Sequence, residues 1–147
     1  MSSDGFSGGL ALLWKPNTQV HVQNFSLWFI DAHILCNDTS LKLRLISFYG
    51  QPDTSRREET WTLLESLKHS NNLPCLCLGD YNEIISQTEK SGGRLRPTRQ
   101  MDRFCEVIHY CGFMDLGYTG SPFTWSRNHP VDGQTYIRLD RALATIA

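Results

Sequence analysis

No part of this 147-residue chain is apolar for long. The longest wholly apolar run is Leu10–Trp14, five residues, where a membrane-spanning helix needs about 18 or more. No Lys or Arg precedes Lys15, and no long apolar segment follows it, so the pattern of a secretory signal peptide is missing. The expected location is inside the cell, in nucleus or cytoplasm. Neither sign of charge dominates either: 14 basic residues meet 15 acidic ones for a net −1. Without a global field, any contact with nucleic acid has to use a local patch. The five cysteines are odd in number and show no disulfide spacing. There is no CxxC or HxxxH pattern, so His33, Cys36, Cys75 and Cys77 do not read as zinc ligands. Gly and Pro together number only 17, which excludes collagen-like and linker-like chains.

What is present suits one globular domain spanning residues 1–147. Hydrophobic residues make up 40% of the chain and 16 residues are aromatic, enough for a real core at this length. The first third reads as strands. Gly9–Trp14 is a short apolar run expected to be a strand buried on both faces. Val20 and Val22 alternate with polar neighbours, Leu27–Cys36 is β-like, and Leu41–Phe48 alternates again. Ser55 and Glu58 then form a capping-box pattern, followed by Trp61, Leu64 and Leu67 at helical spacing. Pro74 precedes a buried-strand candidate at Cys75–Leu78. Residues 84–97 read as a loop. A second helix is expected from Thr98, carrying Met101, Phe104, Cys105 and Ile108, with Gly112 as its C-cap. Phe123–Ser126 and Tyr136–Leu139 are β-like, and Asp140–Thr145 reads as the start of a helix. This is an α/β pattern, with largely antiparallel sheets and helices packed outside.

Two short stretches carry chemistry. Gly79-Asp80-Tyr81-Asn82 follows a strand, the place where functional loops gather in open α/β sheets. Asp80 and Asn82, one residue apart, can orient or deprotonate a water and hydrogen-bond a phosphate oxygen; the same tetrapeptide is also an ordinary turn sequence. Tyr49 ends another strand, where its hydroxyl can donate to a developing oxyanion or its ring can anchor the core. Between Glu89 and Arg103, five basic residues, Arg94 and Arg96 among them, meet two acidic ones. That local excess suits a phosphate backbone as well as it suits a solvated surface.

Taken together, Phe48-Tyr49-Gly50-Gln51-Pro52, Gly79–Ile84 and Ile137–Arg141 resemble, in that order, the endonuclease/exonuclease/phosphatase superfamily with its DNase I-like fold. Gly5–Trp14, Lys90–Gly93 and Asp115–Ser126 bring the resemblance closest to the endonuclease domains of plant non-LTR retrotransposons. It implies a partial four-layer α/β-sandwich and Mg²⁺-assisted hydrolysis of DNA phosphodiesters. It also assigns roles. Tyr49 would sit near the scissile phosphate, Asp80 would prepare the attacking water and serve the metal, and Asn82 would hold the phosphate. Asp140 would orient a catalytic histidine, and Thr124 would line the substrate site, with Arg94 and Arg96 toward DNA. Tyr81 stands where the family more often has Phe. The family's metal-binding Glu and its closing Ser-Asp-His motif have no counterpart here, because the first Glu is Glu58 and the last His is His129. The expectation is an incomplete domain, inactive alone and prone to self-association through exposed strand edges. The alternatives are an inert or binding-only remnant and a phosphatase-type member of the same superfamily.

Overall fold

The computed structural model describes residues 9–68 and 72–145. Strands β1 (Thr18–Phe25), β2 (Phe29–Cys36) and β3 (Leu41–Tyr49) form an antiparallel meander. Helix α1 (Arg57–Lys68) carries the chain over to β4 (Cys75–Asp80), which pairs with β3 in parallel, as a helical crossover requires. After the two-residue β5 (Lys90–Ser91) comes α2 (Thr98–Tyr110), then β6 (Phe113–Asp115), β7 (Trp125–His129), β8 (Gly133–Ile137) and β9 (Asp140–Thr145). The first sheet has the order β1-β2-β3-β4-β9-β6 and the second β5-β8-β7. Apart from β3 with β4 every pairing is antiparallel. The α/β class and outer helices expected from the sequence are therefore present.

Register decides which face each residue takes. Arg44, Ile46 and Phe48 of β3 stand opposite Cys75, Cys77 and Gly79 of β4. This face packs on Trp61, Leu64 and Leu67 of α1 and on Phe104 and Val107 of α2. Trp61 and Phe104 stack with ring centroids 4.6 Å apart, joining the two helices. Inside this layer Arg44 is almost wholly buried. It donates to both carboxylate oxygens of Asp31 at 2.9 and 2.7 Å and to the Leu67 carbonyl at 2.6 Å, tying β2, β3 and the end of α1 together. A smaller cluster of Ile84, Met101, Ile137 and Leu139 joins α2 to the second sheet.

Three local expectations are not met. Gly9–Trp14 is not a strand: it makes no ladder, and Leu13 is 90% exposed. Asp140–Thr145 is a strand rather than the start of a helix, because β4 and β6 both offer it ladder hydrogen bonds. Asp53, not Ser55, caps the turn that opens α1, accepting from the Ser55 N–H at 2.9 Å, while Glu58 pairs with Arg103 of α2. Gly112 does close α2 as expected, at φ +67° with its N–H donating to the His109 carbonyl. Among the described residues no helix is long and apolar enough to cross a membrane.

Candidate active site

The strand ends bring four of the singled-out residues into one transverse row and its adjoining loop. Tyr49 on β3 is in register with Asp80 on β4, and Asp80 with Asp140 on β9. Neighbouring strands lie about 4.8 Å apart, so the phenol and the two carboxylates stand side by side on the face away from the helices. Asn82 lies two residues beyond Asp80.

Tight backbone contacts hold this edge. The Gly50 N–H donates to the Asp80 carbonyl at 2.7 Å, and the Tyr81 N–H to the Leu139 carbonyl at 2.9 Å. A Cβ on Gly50 would meet the Tyr81 carbonyl oxygen at 2.3 Å, so only glycine permits that approach. Gly79 is equally constrained, at φ +154° with a virtual Cβ 1.8 Å from the Phe48 oxygen. Asn82 adopts φ +54°, a left-handed conformation that Asn tolerates better than most residues. Its N–H donates to the Asp80 carboxylate at 2.8 Å and its amide nitrogen to the Gly50 carbonyl at 2.7 Å. Tyr81 is wholly buried against Phe48 and Phe104, which explains why an aromatic residue is needed between Asp80 and Asn82.

Electrostatics single out Asp80. Burial raises its pKa above the ordinary carboxylate value; the Asn82 N–H and Arg57 oppose that rise and the Asp140 charge adds to it. Two like charges directly opposed on adjacent strands destabilise a sheet. Such a pair at a strand end, with Asp80 partly buried and Asp140 open to solvent, has the character of a working site. The oxygen donors fit a hard divalent cation that takes one or two carboxylates and completes its shell with water and phosphate. Among the described residues there is no group of three or more His, Cys, Asp and Glu able to hold a metal.

The remaining residues of interest fall into two sets. Thr124 belongs to the edge: its hydroxyl oxygen accepts from the Leu139 and Asp140 N–H groups, both at 3.0 Å, so it fixes the start of β9 and keeps its own proton to donate. Arg96 is turned elsewhere, paired at 3.0 Å with Glu83, whose other oxygen takes Arg57 at 2.6 Å. Arg94 is exposed in the turn after β5. Arg103 is also committed, to Glu58 and Glu65. Two of the five basic residues between Glu89 and Arg103 are therefore committed to ion pairs.

Two supports escaped the sequence reading. Arg138 and Arg141 flank Leu139-Asp140 and are clamped by Glu89 and Asp115 through four ion pairs of 2.6 to 3.0 Å. This cluster pins β9 against β6 and the loop before β5. Trp28, just before β2, lies parallel to Tyr49 with centroids 6.0 Å apart. Neither has a local signal, since each depends on partners many residues away.

Neither a protein-family model nor a curated protein sequence matches this chain. Solved structures do match. The endonuclease domain of TRAS1, a telomere-specific non-LTR retrotransposon, superimposes at a TM-score of 0.64 and 15% identity over 90% of this chain and 58% of that one. Beta toxin from Staphylococcus aureus matches at 0.54 and 17% identity, over 80% of this chain and 42% of its own. TDP2 from D. rerio, solved with a single-strand DNA product, matches at 0.52 and 16% identity, over 88% of this chain and 52% of its own. The chain thus spans about half the length of these structures. It shares the α/β fold of these structures.

Proposed function

We propose that the Tyr49–Asp80–Asp140 row, with Asn82 and Thr124, is the phosphodiester-handling edge of a retrotransposon-derived DNA endonuclease-like domain. The observation that carries this reading is the register itself, which gathers at one strand end the residues that the sequence resemblance assigns to the reaction. The likeness to a retrotransposon endonuclease domain and to a DNA-bound TDP2 supports DNA as the partner.

Each residue has a defined task. Asp80, held near neutrality more easily than an ordinary carboxylate, orients the attacking water and accepts its proton. Asn82 offers its amide to a phosphate oxygen, and Tyr49 donates its hydroxyl to the charge that builds there. Thr124 holds Asp140 in place by its two accepted hydrogen bonds. A Mg²⁺ ion, held by Asp80, would offset charge on the phosphate.

The chain has no histidine after His129 and no glutamate before Glu58, so the two groups the resemblance requires beside this edge are not supplied by residues 1–147. Losing proton transfer alone removes about 10²–10⁴-fold in rate. The purified chain is expected to leave supercoiled and abasic-site DNA unnicked in Mg²⁺, with Asp80→Ala and Asn82→Ala indistinguishable from it. Metal-dependent nicking that disappears in Asp80→Ala would overturn the inactivity, and hydrolysis of a phosphomonoester but not of DNA would favour the phosphatase-type alternative.

A further inference from the structure

We infer that Trp28 is a substrate-positioning residue: its indole, braced on Tyr49, stacks an unpaired nucleobase a few nucleotides from the phosphodiester held by Asp80 and Asn82. The inference rests on the functional reading above and adds to it the class of DNA that fits, strands with accessible bases near the bond.

Trp28 extends the transverse row by one strand. The Tyr49 N–H donates to the Trp28 carbonyl at 2.8 Å, which sets the two residues opposite each other across β2 and β3. The order across the sheet edge is therefore Trp28, Tyr49, Asp80, Asp140, aromatic groups on one side and carboxylates on the other. The indole is held firmly for a residue in a tight turn. Its N–H backbone group donates to the Ser26 hydroxyl at 3.0 Å, and the Ser26 N–H closes the turn onto the Phe29 carbonyl at 2.8 Å. The ring lies within 8° of parallel to Tyr49, and it is half-buried, so part of it stays open to a ligand.

Energetics favours a base over a core role for that surface. The core of this layer lies on the opposite face, under α1 and α2, and Trp28 takes no part in it. Base–aromatic stacking is tolerant of sequence because every base has a π-face. It also needs no positive charge. Two strand intervals, about 10 Å, separate Trp28 from Asp80. That equals roughly three stacked nucleotides at about 3.4 Å each.

The test is a titration of the whole chain, followed by NMR at the tryptophan indole protons, with the Trp28 signal assigned from Trp28→Phe. The probes are an eight-residue oligothymidylate and an abasic oligonucleotide with the same number of phosphates. The thymidylate is expected to shift the Trp28 indole signal, and the abasic strand to shift only the amides around Asp80–Asn82. Trp28→Ala should weaken thymidylate binding by about tenfold and leave abasic binding unchanged, with Trp28→Phe in between. Equal weakening for both probes, or an indole shift caused equally by both, would reduce Trp28 to a structural brace for Tyr49 and overturn the inference. Failure of either oligonucleotide to perturb any residue of the row would overturn the functional reading instead.

Discussion

Asp80 and Asp140 sit opposite each other on neighbouring strands, an arrangement that folding alone does not favour. Its cost is testable through the proton. Burial, with the Asp140 charge in support, raises the Asp80 pKa. A carboxyl raised in the folded state contributes stability below its unfolded value, near 3.8, and loses it as the pH climbs through the folded value. Asp80→Asn keeps the acceptor for the Asn82 N–H and removes the charge, so it should raise the melting temperature at neutral pH. The gain should shrink toward nothing at pH values below 3.8, in melts recorded with EDTA present. Asp115 has the opposite sign. Burial would raise it, but the Gly117 N–H and the Arg138 and Arg141 guanidinium groups outweigh burial and lower it. Asp115→Asn should therefore lower the melting temperature at neutral pH, with the deficit fading under acid. A neutral-pH loss for Asp80→Asn would remove the argument that this edge is strained for function.

Between elements, the buried Arg44–Asp31 pair makes the sharpest demand. Both side chains are nearly inaccessible, at 2% and 6% exposure, and the contact is bidentate. Removing one partner strands the other charge in the core, so Arg44→Met should cost about 3–5 kcal/mol in denaturant unfolding. The double variant Arg44→Met/Asp31→Leu should recover much of that loss, and a double variant as unstable as the single one would contradict it. Arg44 also marks the limit of what could be read from the sequence. Alternation in Leu41–Phe48 gave the strand but no sign of a buried Arg44, because Asp31 and the Leu67 carbonyl come close only in the folded chain. Helices α1 and α2 were legible because their apolar spacing is local. Val107 nevertheless takes the buried place expected of Cys105. Asp140–Thr145 could not be seen as a strand, since its pairing partners lie 28 to 68 residues earlier. Tyr49, Asp80, Asn82 and Asp140 were legible as motif residues, Tyr49 at a strand end and Asp80 just after one. Thr124's grip on Asp140, the Glu89–Asp115 clamp and Trp28 depend on partners distant in sequence and left no local trace.

For the molecule as a whole, the sheet face away from the helices matters most. Val20 and Val22, Ile30, Ala32 and Ile34, Leu43 and Leu45, Leu76 and Leu78, and Ala142 and Ala144 share it by register. Its centre is buried at Ala32 and Leu45, while Val22 and Leu78 at its margins are 46% and 36% exposed. Strand β1 leaves an eight-residue edge, whereas β6 at the other edge has three residues. Long edges and apolar faces invite pairing with another chain. Sedimentation should therefore show concentration-dependent self-association, reduced by Val22→Lys, which sets a charge on the edge strand. A monodisperse monomer that melts cooperatively above about 60 °C, beyond most mesophile domains, would contradict this.

The most direct test of the central claim asks whether the Tyr49–Asp80–Asp140 edge holds a divalent cation and phosphate, independent of turnover. Mn²⁺ in place of Mg²⁺, added in substoichiometric steps with a thymidine dinucleotide, broadens the amide signals nearest to it. The account predicts that Asp80, Tyr81, Asn82 and Asp140 broaden first, and that Asp80→Asn abolishes the effect. Broadening centred on other residues, or unchanged by Asp80→Asn, would show that this edge is not the site of phosphodiester chemistry.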